Sequence, residues 1–429
     1  MAFGCRENES IQLSNVRPRL VPHGVIVPFL LVTALFFLWG IPNNLNDVLI
    51  RQFMKSFSLS RFQAGLVQSA FYMGYFMLAA PAAILMRKFG YKLGFIVGLL
   101  LFGIGAFLFW PAANIGRYEY FLAALFVIAS GLSFLETASN PFIAQLGAPE
   151  SAARRLNLAQ AFNSIGGTIA PLVAGAFILT DPGVTASKAS IANTVRGPYI
   201  AIAAALLILG FAVALSHLPP VLGTRSLRPG KDGDAASSQS IWSYRHTVLG
   251  AVGIFFYVGV EVGLASIAVN YFKTQGMSST KTASFLVSLY WFGALVGRLL
   301  GSWILTKVKA GKLLGFFGII AAALIAISMI SSGQVAIGTL VLCGFFNSVM
   351  FPNIFTLGIA GLGPMTGKGS GLLMTAVVGG AVVPYLLGAL ADKVGIQQAF
   401  FLPTLCYLYI AYYGLSGSKP ARRVTAQAD

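Results

Sequence analysis

The sequence predicts an all-α membrane protein with twelve transmembrane helices arranged as two pseudo-symmetric six-helix halves. Three observations carry this expectation. Of 429 residues, 57% are hydrophobic and only 10% charged, with mean hydropathy +0.79; a soluble domain carries roughly 25% charged residues. Apolar runs of about 20 residues, long enough to cross a bilayer, recur between short polar loops. The two halves of the chain also echo each other in sequence.

Taken in order, the apolar runs fall at about 25–50, 62–86, 92–112, 119–146, 156–180 and 197–217. A second set follows at 246–272, 282–306, 313–331, 335–361, 369–391 and 397–415. The longest polar interval, Leu218 to Tyr244, is rich in Pro, Gly, Ser and charge and reads as a flexible linker. The expected organisation is a tail over 1–24, a six-helix half over 25–217, a linker over 218–244, a second half over 245–416 and a tail over 417–429. No signal-peptide core precedes the first span, which reads as an uncleaved signal-anchor. Frequent glycine, 48 residues, suits helices that approach closely in a bilayer.

Cation placement sets the orientation. With the N-terminus inside, cytoplasmic segments hold 19 Lys and Arg residues and the opposite loops 9. Arg87, Lys88 and Lys92 follow the second span, and Lys307, Lys309 and Lys312 the eighth. Both termini are therefore expected in the cytoplasm. The net charge of +17 orients the chain and does not imply nucleic acid, because no soluble domain presents it. Cys5, Cys343 and Cys406 lack metal or redox spacing and read as a tail thiol and two packing residues. His23, His217 and His246 flank the bundle, and no nucleotide loop, nucleophile elbow or metal spacing occurs, so an enzyme is not indicated.

The internal echo has two parts. Phe36, Phe37, Gly40, Phe53, Ser69 and Gly74 match Phe255, Phe256, Gly259, Phe272, Ser288 and Gly293 at an offset of 219. GGTIAP (Gly166 to Pro171) matches GGAVVP (Gly379 to Pro384) at an offset of 213. Parallel repeats of this size, joined by a linker, are the plan of the major facilitator superfamily, with substrate held at the midplane between halves.

Polar groups inside apolar runs mark where chemistry can occur, since an ionisable side chain at membrane depth costs at least ~2.5 kcal/mol on insertion scales. The first span carries FFLWGIPNNLNDVLIRQF, Phe36 to Phe53. Asn43 and Asp47 lie four apart on one helix face with Trp39 one turn earlier, and Pro42 invites a bend. Asp47 either faces a hydrated cavity with its neighbouring amides or marks the aqueous end of the helix. In the fourth span, Glu136 sits in FLETASNPF, with Asn140 one turn on and Pro141 leaving a carbonyl unpaired. An unpaired buried carboxyl favours its neutral form, which makes Glu136 a natural proton carrier.

The fifth span begins RRLNLAQAFNSIGG, placing Asn157, Gln160 and Asn163 in one drifting polar stripe extended by Ser164. Neutral amides offer donors and acceptors, as a polyhydroxylated solute needs, although a polar helix seam has the same pattern. Glu261 occupies the seventh span, and Tyr290 and Trp291 in the eighth are candidate sugar-facing aromatics or packing residues. Arg298 reads as near the cytoplasmic end, pairing with an acid or snorkelling. Asn347, Pro352 and Asn353 in the tenth span and Pro384 in the eleventh read as bend and lining positions.

WGIPNNLND, LETASNPF and RLNLAQAFNSIGG resemble the signatures of the fucose–proton symporter family of the major facilitator superfamily, and the likeness runs from about Phe29 to Gly414. It implies an alternating-access sugar symporter of a bacterial inner membrane. Its two essential acids correspond to Asp47 and Glu136, and its sugar-contacting amides to Gln160 and Asn163. The second half, with YVGVEVG, SLYWFGALVGR, FPNIFTLGIAGLG and LLMTAVVGGAVVP, is closer to the glucose/galactose branch, while NNLND is as close to the fucose branch. The superfamily loop motif G-x-x-x-D-R-x-G-R-K is degraded, its acidic position falling at Met86 in AAILMRKFGYK. The gating contacts of that acid are not carried over.

The reading that results is proton-coupled symport of a hexose of glucose/galactose or L-fucose type. Asp47 and Glu136 handle the proton, and Trp39, Asn43, Glu136, Asn140, Gln160, Asn163, Glu261, Tyr290 and Asn353 form the candidate sugar site. Trp39 is the candidate platform for the C–H face of the ring. No cofactor or metal is expected beyond a coupling ion, H+ with Na+ as the rival, since acids and amide oxygens also ligate a hard cation. Export of another small molecule shares the architecture. The expected partners are a sugar and membrane lipid, no nucleic acid, and no second subunit.

Overall fold

The computed structural model describes residues 20–57, 61–177, 196–216, 218–219, 240–277 and 279–420; at 42–57, 61–66, 170–177, 196, 198, 280 and 281 the backbone alone is described. Most of the expected N-terminal tail, with Cys5, most of the linker and most of the C-terminal tail fall outside these residues, as do the side chains of Asn43 and Asp47.

Among the described residues the secondary structure is helical, with no strand. The first half comprises α1 (Ile26–Phe57), α2 (Arg61–Phe89), α3 (Tyr91–Ile115), α4 (Tyr118–Gln145), α5 (Ala152–Phe177) and α6 (Arg196–Leu215). The second comprises α7 (Arg245–Thr274), α8 (Thr280–Ile304), α9 (Ala310–Ile330), α10 (Gly333–Gly358), α11 (Gly363–Val394) and α12 (Ile396–Gly417). Ten of these are long and apolar enough to cross a membrane. The polar α5 and the shorter apolar stretch Tyr199–Leu215 of α6 complete the twelve. The chain is an integral membrane protein. α1 runs on through Pro42 to Phe57, a turn or more beyond its apolar run.

The same pairings are built twice. α1 packs on α5, α2 on α4, and α3 on α4 and α6; likewise α7 packs on α11, α8 on α10, and α9 on α10 and α12. The sequence echoes are the seams of this packing. A Cβ at Gly166 on α5 would overlap the Phe37 carbonyl of α1, and a Cβ at Gly379 on α11 would overlap the Phe255 carbonyl of α7. The GGTIAP and GGAVVP segments are therefore the places where each half brings its fifth helix against its first, as small residues allow in lipid.

Arg155, counted above among the loop cations, is fully buried. Its guanidinium donates to the carbonyls of Ile143, Ala144 and Ala148. These are carbonyls at and just beyond the end of α4, which a helix leaves unpaired and a cation suits. The charge thus fixes the α4–α5 corner on which the polar residues of both helices depend. Cys343 and Cys406 are buried and unbridged.

The halves meet through α5 with α8 and α10, and through α2 and α4 with α11. At the end where α4 finishes and α5 begins, this meeting is polar and tight. Asn157 donates to Asn353 Oδ1 at 2.9 Å, Ser370 to the Thr137 carbonyl at 2.8 Å, and Ser302 to the Arg154 carbonyl at 3.2 Å. The Thr137 carbonyl is the one that Pro141 deprives of its helical donor. Ser370 of the other half replaces that donor.

Candidate functional site

Between the halves lies a cavity of about 150 Å³. Its wall from the first half mixes polar groups with rings, Phe71 and Tyr72 among them. Trp39 comes from α1, Tyr75 from α2, Glu136 from α4, and Gln160, Asn163 and Ser164 from α5. The wall from the second half combines the rings of Tyr257, Trp291 and Phe351 with Glu261 and Arg298. Walls that mix hydrogen-bonding groups with aromatic rings suit a solute with hydroxyls on its edge and C–H groups on its faces.

Glu136 is held by Tyr75, whose hydroxyl donates to Oε1 at 2.8 Å. Among the described residues the only ion pair is the exposed Arg117–Glu119. Glu136 therefore faces the cavity with no cation within 4.0 Å among the described residues. A carboxyl so placed is stable neutral, and stable charged only at a desolvation cost of several kcal/mol. Glu261 in the other half likewise accepts from a tyrosine, Tyr257 Oη at 2.6 Å, but unlike Glu136 it feels the Arg298 charge on the same wall. Tyr257 precedes Glu261 by four residues, one helix turn, so this pairing was legible in the sequence. Tyr75 lies 61 residues from Glu136, and no local pattern could have joined them.

The amides divide into two groups. Gln160 and Asn163 line the cavity. Asn163 Nδ2 donates to the Phe36 carbonyl of α1 at 3.2 Å, a contact made possible by the close α1–α5 approach at Gly166. Gln160 Nε2 donates to Asn140 Oδ1 at 3.3 Å. Trp39 is nearly fully buried at the cavity edge, its ring centroid 4.4 Å from that of Phe36.

Asn140, Tyr290 and Asn353 were expected to line the site, and the structure places them off it. Asn140 is fully buried behind Gln160, donating to Met374 Sδ of α11 at 3.6 Å. Tyr290 turns into its own half, its hydroxyl accepting from Asn347 Nδ2 at 2.6 Å, while its neighbour Trp291 faces the cavity. Asn353 belongs to the seam with Asn157. In each case the next helix, which the sequence pattern does not reveal, decides which way the side chain faces. The positions of the Asn43 and Asp47 side chains are outside the described residues.

Arg298 corrects another expectation. It does not snorkel, and among the described residues it makes no ion pair within 4.0 Å. Its side chain is 7% exposed and reaches across the cavity to the first half, donating to the Gln160 carbonyl at 3.2 Å and to Ser164 Oγ. Its Nε donates to the Ser348 carbonyl of α10 at 3.1 Å. The signal was present, a cation inside an apolar run.

Comparison with known proteins gives a consistent result. A family model described as the Major Facilitator Superfamily matches residues 28–384. The "Glucose/galactose transporter" of Brucella abortus (strain 2308) is 44% identical over 392 residues, 90% of this chain and 93% of that protein. The "L-fucose-proton symporter" of Escherichia coli (strain K12) is 38% identical over 414 residues, 92% of this chain and 94% of that one. The crystal structure of FucP, a major facilitator superfamily transporter in the outward conformation, matches with a TM-score of 0.82 at 37% identity. That match covers 91% of this chain and 98% of the FucP chain.

Proposed function

Since the chain belongs to the fucose–proton symporter family of the major facilitator superfamily, we propose that it moves a hexose into the cell with a proton by alternating access. The substrate is of glucose/galactose or L-fucose type. The observation that carries this reading is Glu136: a carboxyl on the wall of the cavity between the halves, held by Tyr75 and, among the described residues, free of cation partners within 4.0 Å, beside the amides of Gln160 and Asn163.

We read this arrangement as the stage that receives sugar from outside, a reading supported by a polar seam on the side that the cations assign to the cytoplasm. The seam made by Asn157–Asn353, Ser370–Thr137 and Ser302–Arg154 lies toward the cytoplasm when the chain is oriented by its cations. The first half recognises hydroxyls through Gln160 and Asn163, and Trp39, Tyr257 and Trp291 cover the ring. A proton on Glu136 removes the charge that would otherwise be enclosed when the cavity shuts. Asp47, nearer the outer end of α1, exchanges protons between that carboxyl's cavity and the external water. Both termini lie in the cytoplasm and the membrane is a bacterial inner membrane, in keeping with 19 against 9 cations on the two sides. Lipid surrounds a single chain, with no cofactor.

Proteoliposome uptake of galactose, glucose and L-fucose, each with and without an inward proton gradient, tests this reading. One of the three should accumulate, and only with the gradient. Accumulation driven by a sodium gradient at fixed pH, or uptake of none of them, would contradict it.

A further inference from the structure

We infer that Arg298 is a positioning residue for sugar binding, a strut from the bend of α10 to the sugar-facing stripe of α5. The inference rests on the sugar-symporter reading and extends it to a residue of the opposite half.

The strut begins at a proline. Pro352 has no N–H, so the Ser348 carbonyl four residues earlier lacks its helical donor. α10 breaks there, the segment Gly333–Asn347 ending and Met350–Gly358 beginning. Arg298 Nε fills the vacancy at 3.1 Å. The neighbouring Gly297 brings α8 close enough: a Cβ at that position would overlap Ser348 Oγ and the Phe345 carbonyl. With Nε anchored, the planar fork of the guanidinium points its other donors in a fixed direction. One of them, Nη1, takes both the Gln160 carbonyl and Ser164 Oγ on α5. Ser164 itself donates to the Gln160 carbonyl at 3.3 Å. The turn so clamped, 160–164, contains both sugar-facing amides.

This is the counterpart of the arrangement at Pro141, where the freed Thr137 carbonyl on α4 is taken by Ser370 from the other half. At each site a proline in one helix exposes a carbonyl, and a side chain of another helix captures it. At Pro352 the capturing side chain continues into the binding cavity. Glu261, on α7 of the same half, lines that cavity too and leaves the guanidinium a counter-charge within the compartment. The turn of α5 that carries the amides is thus braced from α8 while the two helices are closed on each other, which ties sugar affinity to the position of the halves.

The test is sugar exchange in proteoliposomes, with equilibrium binding read from tryptophan fluorescence, for the parent protein and for Arg298→Gln, Arg298→Lys, Ser164→Ala and the Ser164→Ala/Arg298→Gln double variant. Arg298→Gln and Arg298→Lys should raise KM and Kd by roughly tenfold with little change in maximal exchange rate, because a charged hydrogen-bonded fork is lost from the bound state. Lysine should not rescue, since a point charge cannot span α10 and α5. Ser164→Ala should weaken binding several-fold alone and add nothing in the Arg298→Gln background. Unchanged affinity in Ser164→Ala, or effects that simply multiply in the double variant, would overturn the strut. Ser164→Ala keeps every anchor of Arg298 to α10, so it remains informative if Arg298→Gln does not fold. Failure of the parent to bind any hexose would instead overturn the sugar-symporter reading, and the strut's role with it.

Discussion

Glu136→Gln keeps the shape of the side chain and removes its capacity to carry a proton. The amide oxygen can still accept from Tyr75, which reaches Glu136 at 2.8 Å, and the amide nitrogen supplies the donor that the protonated acid would offer. One neutral hydrogen bond exchanged for another should change sugar affinity by less than about 1 kcal/mol, or roughly fivefold. Accumulation is a different matter. A pH step of one unit supplies about 1.4 kcal/mol per proton, enough to concentrate a co-transported sugar roughly tenfold. A carrier locked in the neutral form reorients loaded or empty and equilibrates the sugar without concentrating it. The assay is paired: counterflow of labelled sugar with no gradient, and uptake against a one-unit gradient. The variant should retain counterflow and reach an internal-to-external ratio of one, while the parent concentrates. Retained accumulation would remove Glu136 from the coupling step. Loss of counterflow in a variant that still folds would make the carboxyl a sugar ligand first.

Gln160→Ala and Asn163→Ala should each weaken sugar binding by about 1–3 kcal/mol without unfolding, because each removes a cavity-facing amide and installs a good helix former; unchanged affinity in both would move the site toward Glu261 and Trp291. Asp47→Asn should abolish accumulation and leave sugar affinity less dependent on pH than in the parent, a result checked by binding titrations across pH. Asn353→Ala removes the acceptor of the Asn157 amide from a fully buried pair and should favour opening of that seam by about 1 kcal/mol. Faster thiol labelling of an Ala83→Cys reporter, beside Gly371 at the same interface, would reveal it, and unchanged labelling would count against the seam as a gate. Reporters fused after Lys92 or Lys312, or within the linker, should all read as cytoplasmic, and an external reading from any of them would break the assigned orientation.

The architecture was legible because lipid imposes one strong rule, a long apolar helix for every crossing, and because the repeats survive at the positions where helix pairs touch. Gly166 and Gly379 are repeat positions and contact positions at once. In the site, Trp39, Glu136, Gln160, Asn163 and Glu261 were readable as polar or amphipathic groups inside apolar runs, and all of them border the cavity. Periodicity assigns a residue to a helix face but leaves open which neighbour that face meets. Asn140 and Asn353 share the chemistry of Gln160 and Asn163, yet they meet α11 and α5 at the seam. Tyr290 and Trp291 are adjacent, and only the packing of α8 on α10 decides that the tyrosine turns inward to Asn347. Arg298 was misplaced because a lone cation near the end of a span has a simple outlet to water. The carbonyl that Pro352 frees, 50 residues away, gives it a better one.

Sugar-induced proton movement measures the central claim most directly. De-energised proteoliposomes in a weakly buffered medium, followed with a pH electrode, should show external alkalinisation when galactose, glucose or L-fucose is added outside. The effect should be absent with Glu136→Gln and independent of sodium. Sugar entry with no pH change, or entry that requires sodium, would contradict proton-coupled symport through this cavity.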